Sequence, residues 1–587
     1  MQFLLTAINA KYIHSNPAIY SLRAYAGEKL LPFISLAEYT INNRMEEILG
    51  DIYKKHPDAI GFSCYIWNFR LIQELIPEIA KVLPGIDIWL GGPEVSFEAE
   101  KVLARFPMIK GIMVGEGEET FKDVISYYVG NGREEIGSKY HRLKDIPGLV
   151  LRDGATKVRT PMNMDEIPFP YEDLQEFENR IIYYETGRGC PFRCSYCLSS
   201  IDKSVRLRNL ETVKRELQYF LDKKVPQVKL IDRTFNCNHN HAMEIWRYIK
   251  ENDNGITNFH FEVAADIMRE EELTLLGEMR PGLVQLEIGV QTTNWNTLKE
   301  INRSANITQI ARVVEEIRSK RNIHVHLDLI AGLPYEGFES FQKSFNDVYA
   351  MKPEQLQLGF LKVLKGTEIW EKVGQYGIVY QENPPYEVLF TKWISYEEIR
   401  KLKQIEEMVE LYYNSNQFTH ILPVLEKEFK APFELFEKLA VYYEEKGYFV
   451  NAPARSNRYQ VLLEFALEIA PEKEALYQEL LTFDYYLREN AKSRPAFGAD
   501  LSPYREQIWE FYQREEENPQ ILKGYRHYHA RQTMKMTHME VLYYPVWEIC
   551  ENQELQRKEK PEFVLFDYEK RDALTKEAQI YVVPFSE

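Results

Sequence analysis

The sequence predicts an α/β fold in three parts: a doubly wound parallel sheet, a partial parallel barrel of six βα units, and a mainly helical domain. Three observations carry that expectation. Short β-rich apolar runs alternate with helical patterns between residues 2 and 114, and again between 181 and 361. Beyond about residue 390 glycine thins out, and helical segments rich in Glu, Lys, Tyr and Phe take over. A chain of 587 residues is also too long for one core; its length suggests about four domains, and three large ones also fit.

The first part is expected over residues 1–130. Its strand-like runs fall at 2–8, 33–38, 58–63, 86–90 and 111–114, with helical patterns such as 18–30 and 70–83 in the gaps. Rossmann-like sheets of this kind bind ligands at the carboxyl ends of their strands. The residues falling there are 9–14, 65–68, Gly91-Gly92-Pro93-Glu94 and Gly115-Glu116-Gly117-Glu118. Residues 131–178 are expected to be a linker. It holds a hairpin at 148–154 and the stretch Ile167-Pro168-Phe169-Pro170, which proline keeps out of regular structure. The barrel is expected over 179–390, with strands at 181–185, 228–231, 259–264, 284–288, 323–330 and 356–361. Six units leave a TIM-type barrel open, since eight close it. Residues 391–587 are expected to be mainly helical and to end in a short hairpin built from 564–568 and 580–584. Helical spacing assigns the pairs Tyr412-Tyr413, Tyr442-Tyr443 and Tyr485-Tyr486 mostly to that domain's core.

Composition excludes several classes. Hydrophobic content of 45% and charged content of 27% are those of a globular protein, and no apolar run reaches the ~18 residues of a membrane span. The apolar start, 1–8, lacks a basic n-region and reads as a buried first strand. A net charge of −17 argues against a large nucleic-acid footprint. The one basic stretch, 523–535, reads as a solvated helix face. Three of the six cysteines are clustered and three, Cys64, Cys237 and Cys550, are scattered, which is no disulfide framework. A cytoplasmic protein is expected, with the scattered three as buried small hydrophobes.

The clustered three carry the chemistry. Gly187-Arg188-Gly189-Cys190-Pro191-Phe192-Arg193-Cys194-Ser195-Tyr196-Cys197 has the spacing C-x3-C-x2-C. Three thiolates can hold three irons of a 4Fe–4S cluster and leave the fourth iron open. Structural zinc wants a fourth ligand, usually in C-x2-C pairs. There is no second pair here, and His141 and His239 are remote in sequence. Gly187 and Gly189 let the loop wrap closely. The run directly follows the first barrel strand, so it falls at the carboxyl-terminal mouth, where barrel sites lie. Polar residues end the neighbouring strands: Asp232-Arg233, Glu262 and Asp266, Glu287 and Gln291, and His324, His326 and Asp328. Inward polar groups are costly unless they meet each other or a ligand.

In the first domain no G-x-G-x-x-G follows the first strand, which argues against a dinucleotide. The loop Gly115-Glu116-Gly117-Glu118-Glu119 is glycine-rich but acidic, a poor cradle for pyrophosphate. Its carboxylates are tolerable beside a large, amide-decorated, nearly neutral ligand, of which cobalamin is one.

The cysteine run, with Tyr196 just before its third cysteine, resembles the signature of the radical S-adenosylmethionine (SAM) superfamily. The order of parts resembles that superfamily's cobalamin-binding class over residues 1 to about 370. So do Gly91-Gly92-Pro93-Glu94, Val114-Gly115-Glu116-Gly117-Glu118 and Asn16-Pro17-Ala18 followed by Tyr20-Ser21-Leu22-Arg23. The remainder is similar to an uncharacterised extension of one bacterial subgroup. The resemblance implies a cluster on Cys190, Cys194 and Cys197 that cleaves SAM reductively to methionine and a 5′-deoxyadenosyl radical. It places Tyr196 beside the SAM adenine and Gln291 against SAM, with Arg233, Glu262 and Asp328 as further contacts. Asn9, His14, Gly91, Gly92, Gly115, Glu116 and Gly117 would border cobalamin. One departure stands out: the Asp-x-His-x-x-Gly pattern that supplies a cobalt-ligating histidine is absent. His14 lies in the right loop but in the wrong frame, and is expected as a hydrogen-bonding or corrin-neighbouring residue.

The function so implied is methyl transfer to an unactivated carbon of a small molecule, with an electron donor such as flavodoxin or ferredoxin. Alternatives are a cobalamin-dependent oxidative cyclase similar to anaerobic Mg-protoporphyrin monomethyl ester cyclase, a tRNA methylthiotransferase-like enzyme, and a non-enzymatic cobalamin or redox sensor. The methylthiotransferase reading calls for three more cysteines in the first domain, where only Cys64 lies.

Overall fold

The apolar start of the chain, Phe3–Asn9 (β1), is buried at every position, as a strand inside a parallel sheet covered on both faces must be. The computed structural model describes all residues except 131–138, 172, 492, 549–554 and 584–587. Cys550, the start of the expected linker and the last residue of the expected hairpin lie outside the described residues. Ile34–Thr40 (β2), Ala59–Ser63 (β3), Asp87–Gly91 (β4) and Ile109–Met113 (β5) join β1 in the order β2-β1-β3-β4-β5, every pair parallel. The strand order reverses between β1 and β3, the switch point at which such sheets open a crevice. Helix Phe69–Val82 buries Phe69, Ile72, Leu75, Ile76 and Ile79, a stripe at helical spacing. Each such side chain contributes about 1.5–3 kcal/mol by leaving water. The helix expected over 18–30 is shorter, Pro17–Ala26, because Gly27 turns the chain with φ +86°. The expected hairpin is Leu149–Leu151 (β6) with Gly154–Ala155 (β7), and it extends the sheet antiparallel to β5.

The chain forms two compact units. The first comprises residues 1–320, 330–337 and 359–395; the second comprises 321–329, 338–358 and 396–587. After the first sheet come Ile182–Tyr184 (β8) and a two-stranded antiparallel pair, Gly187–Arg188 (β9) with Arg206–Leu207 (β10). Next are Gln227–Leu230 (β11), Asn258–Val263 (β12), Val284–Gln291 (β13), His324–Ala331 (β14) and Gln355–Phe360 (β15). These make one six-stranded sheet in the order β15-β14-β13-β12-β11-β8, with β8, β11, β12 and β13 paired in parallel. Along β13 Val284, Leu286, Ile288 and Val290 are buried, while Gln285, Glu287, Gly289 and Gln291 are half-buried. That alternation separates an apolar packing face from a polar one. Val379–Tyr380 (β16) and Val388–Phe390 (β17) add a small antiparallel pair.

In the second unit, helices such as Tyr396–Met408, Pro432–Glu445 and Glu474–Arg488 dominate. Tyr412 and Tyr443 are buried and share a hydroxyl–hydroxyl hydrogen bond of 2.6 Å. Tyr442 and Tyr486 are buried too, while Tyr413 and Tyr485 are half-buried. The terminal hairpin proves to be two strands of a three-stranded antiparallel sheet. Glu562–Arg571 (β19) and Ala578–Val583 (β20) are joined by Thr537–Leu542 (β18). β18 is buried on both faces, so it has no period of two to read. In the basic stretch Lys523, Arg526, His527, His529, Arg531 and Lys535 are all exposed. Cys64 is fully buried in the first core. Cys237 departs from expectation: it is half-buried, in the turn Phe235–Cys237 after β11. Among the described residues no helix is long and apolar enough to cross a membrane.

Candidate functional site

The cysteine loop leaves β9 and is held by one backbone bond within itself and by two to other segments. Cys197 N–H donates to the Cys194 carbonyl (3.1 Å), Ser195 N–H to that of Ile301 (2.9 Å) and Ile369 N–H to that of Ser195 (2.9 Å). Cys190 and Cys194 are buried and Cys197 is half-buried. Gly189 sits at φ +91°, and an added Cβ would collide with the Ser204 carbonyl. Only glycine brings the loop this close to itself. Cys190 Sγ lies 3.5 Å from Thr234 Oγ1.

Just behind the loop Asp232 is buried and accepts from Thr186 N–H (2.9 Å) and Thr186 Oγ1 (2.6 Å). Burial pushes its carboxyl up to about 7, against the two hydrogen bonds. Between about pH 4 and pH 7 the folded form therefore holds a proton that the unfolded form has lost. Stability contributed by that proton is present at low pH and lost as pH rises through the window, at about 1.4 kcal/mol per pH unit. In iron-free protein D232N is expected to gain roughly 2–3 kcal/mol over the wild type between pH 5 and pH 8. Urea unfolding at the two pH values checks this, and an equal gap at both contradicts it.

Arg303, unforeseen in the sequence, closes the other side of the loop. Its Nη1 is 3.5 Å from Cys194 Sγ and 3.4 Å from the Tyr196 hydroxyl, and its Nη2 donates to the Gly289 carbonyl. Burial raises the Cys194 thiol, and Arg303 pulls it the other way. Gln291, at φ +73°, folds its amide over Gly289. Gln291 Oε1 and Arg303 Nε are closed off from solvent without a hydrogen-bond partner, a state that a bound polar ligand would relieve.

On the polar side of the sheet Glu287 accepts from Lys229 (3.0 Å) and pairs with His260 (2.9 Å). Glu262 is half-buried and held above the usual carboxylate range by burial and then by Glu287, against Arg233 and Lys229. Arg233 is exposed. Asp328, in the second unit, lies 3.1 Å from His326.

A cavity of about 760 Å³ opens at the carboxyl ends of β3, β4 and β5 under helix Pro17–Ala26. Gly91, Gly92, Gly115, Glu116 and Gly117 line it with Ser63 and Tyr65. Gly92 is at φ +108°, and a Cβ there would meet the Cys64 carbonyl at 2.6 Å. G92A is expected to cost about 1–3 kcal/mol in thermal unfolding and to weaken retention of the cavity's ligand. An unchanged melting temperature contradicts it.

The acidic loop is answered by the protein itself. Arg188 Nη2 is 2.6 Å from Glu118, its Nε 2.9 Å from Glu185, and Arg206 Nη2 2.5 Å from Glu116. Arg159 pairs with Glu119 at 3.0 Å. The loop's charge is thus spent on arginines, not presented to a ligand, and it is these pairs that make the wall nearly neutral. Asn9 and His14 do not line the cavity. Asn9 donates to Glu38 and to the His14 carbonyl, both at 3.0 Å. His14 Nδ1 is 2.6 Å from the Tyr183 hydroxyl, and burial, then Lys11, lowers its pKa. No histidine is among the lining residues.

The cysteine loop borders this cavity at both ends. Arg188, two residues before Cys190, and Leu198, next after Cys197, both line it. The donor set fits the expected groups: three thiols on one glycine-shaped loop suit an iron–sulfur cluster, and a glycine-edged, charge-balanced cavity at strand ends suits a large neutral cofactor.

Comparison with known proteins agrees. Residues 4–125 match the B12 binding domain, 184–348 the radical SAM superfamily, and 374–566 a family described as "Protein of unknown function (DUF4080)". The chain is 24% identical over 352 residues to 2-(S-pantetheinyl)-carbapenam-3-carboxylate methyltransferase of Streptantibioticus cattleyicolor, covering 55% of this chain and 50% of that one. It is 22% identical over 342 residues to the anaerobic magnesium-protoporphyrin IX monomethyl ester cyclase of Cereibacter sphaeroides, covering 54% and 53%. The chain thus spans about half the length of these two relatives. The cobalamin-dependent SAM radical enzyme OxsB, solved with aqua-cobalamin and SAM bound, shares the fold at a TM-score of 0.54 and 16% identity, covering 80% of this chain and 79% of that one. In chain order the parts are thus a region matching the B12 binding domain, one matching the radical SAM superfamily and one matching the DUF4080 family.

Proposed function

We propose that the chain is a cobalamin-dependent radical SAM methyltransferase acting on an unactivated carbon of a small molecule. The observation that carries this reading is the shared border: Arg188 and Leu198, which flank the loop bearing Cys190, Cys194 and Cys197, line the cavity at the ends of β3, β4 and β5. When bound, the cluster supplies an electron to SAM and cobalamin supplies methyl-transfer chemistry. The residues bind, orient and exclude water. Cys190, Cys194 and Cys197 hold the cluster; Tyr196, Gln291, Glu262 and Arg233 face SAM; Gly91, Gly92, Gly115, Glu116 and Gly117 border the corrin. Arg188 keeps the cavity wall and the cysteine loop in one arrangement. The electron comes from a flavodoxin- or ferredoxin-like donor, and the setting is cytoplasmic, without a nucleic-acid substrate.

Anaerobic purification with iron, sulfide and cobalamin measurements tests the reading. About four irons per chain, a cobalamin spectrum, and 5′-deoxyadenosine formed from SAM under strong reductant support it. Colourless protein without sulfide overturns it. The cyclase at 22% identity favours one second reading, oxidative ring closure. Isotope-labelled SAM methyl separates the two, since label enters the product only in methyl transfer.

A further inference from the structure

Arg303 occupies a built seat beside the cysteine loop. Its backbone N–H donates to the Leu298 carbonyl (2.9 Å) just after helix Trp295–Glu300, and Asn302, at φ +54°, turns the chain back toward the sheet. Its fork then spans two elements. Nη2 is fixed on the Gly289 carbonyl of β13, and Nη1 points at Cys194 Sγ (3.5 Å) with the Tyr196 hydroxyl alongside (3.4 Å). Gly289 lacks a side chain where Gln291 and Arg303 meet, and a Cβ there would lie 3.5 Å from Arg303 Nη2. Asp266, the carboxylate acting on Arg303, accepts a backbone hydrogen bond from Asn306 (3.3 Å). Cys190 Sγ, by contrast, meets a neutral hydroxyl, that of Thr234. The three thiols are therefore not equivalent: Cys194 carries a charged donor.

A guanidinium in a poorly solvated site interacts more strongly than one in water, and an N–H aimed at a ligating sulfur stabilises extra negative charge on it. We infer that Arg303 sets the reduction potential of the cluster held by Cys190, Cys194 and Cys197, raising it through a charge-assisted N–H···S hydrogen bond to Cys194. This rests on the cluster reading above. One electron is gained from a donor of the flavin or iron–sulfur class and stays on the cluster. No bond breaks, and Arg303 keeps its proton in both states. Placing the cation on Cys194 makes the cluster easier to reduce before SAM is cleaved.

The test is a redox titration of reconstituted full-length protein, followed by electron paramagnetic resonance. R303Q, which keeps an amide donor but loses the charge, is expected to disfavour reduction about tenfold, a midpoint about 59 mV more negative for a one-electron couple. R303K keeps the charge without the fork and is expected to fall between. R303Q with about four irons per chain and the wild-type midpoint overturns the inference. Should R303Q fail to assemble a cluster, wild-type protein grown with guanidinium-15N arginine decides. A weak nitrogen coupling to the reduced cluster that changes with the label supports the contact, and no such coupling overturns it. Wild-type protein devoid of iron and sulfide would instead sink the cluster reading itself.

Discussion

Replacing Cys190, Cys194 and Cys197 together with alanine is expected to take the chain from about four irons to almost none and SAM cleavage to background, while the fold survives. The loop is anchored by backbone groups and not by the thiols: Ser195 N–H to Ile301, Ile369 N–H to Ser195 and Cys197 N–H to Cys194. Loss of the sulfurs therefore removes the donors and leaves the anchoring bonds in place. Iron and sulfide assays, circular dichroism and 5′-deoxyadenosine formation read the three expectations separately. Cleavage of SAM persisting in the triple variant would refute the site.

The largest stability effect is expected at Arg188. Its guanidinium answers Glu118 at 2.6 Å and Glu185 at 2.9 Å, with side chains 18%, 6% and 28% exposed. Burial pushes both carboxyls up. At Glu118 the Arg188 charge and hydrogen bonds outweigh burial and hold the group below its usual range; at Glu185 burial wins. In the wild type the Glu118 contribution is therefore present above its unfolded pKa and lost as pH falls through the depressed folded value. R188M leaves these carboxylates without their cation, and breaking a buried pair in this way costs about 3–5 kcal/mol. In the variant burial, and at Glu185 the neighbouring carboxylates too, push the groups up without the Arg188 charge to oppose them, so protonation restores stability and the deficit shrinks as pH falls from 7.5 to 5. Urea unfolding at both pH values measures it. A deficit below about 1 kcal/mol, or one that ignores pH, would show that the pairs behave as solvated surface pairs. Because Arg188 lies two residues before Cys190 and lines the cavity, R188M is also expected to release cobalamin more readily.

Much of the architecture was legible because local signals and the global fold agree. The inner strands β1 and β3 are nearly continuous apolar runs, as burial on both faces requires, and helix 69–82 carries its stripe openly. The errors have physical causes. β18 lacks alternation because both of its faces are covered. The 148–154 hairpin was legible as a turn, but that it extends the sheet depends on long-range pairing with β5. At the site, the acidic loop at 115–119 was legible as acidic, but its counter-ions are not local in sequence. Arg188 and Arg206 come from residues 70 to 90 positions away. Arg303 follows the same pattern, 109 residues from Cys194.

The sequence by itself determined the chemistry: three thiols at C-x3-C-x2-C after a β-strand, glycines around them, and two successive strand–helix alternations. Those are local properties, written in neighbouring residues. Only the tertiary structure decided that both ends of the cysteine loop border the glycine-edged cavity, that arginines neutralise its acidic loop, that Asn9 and His14 face elsewhere, and that a cation rests on Cys194. Charge pairing and cavity walls depend on distance in space, and residues far apart in the chain become neighbours only when the sheets pack.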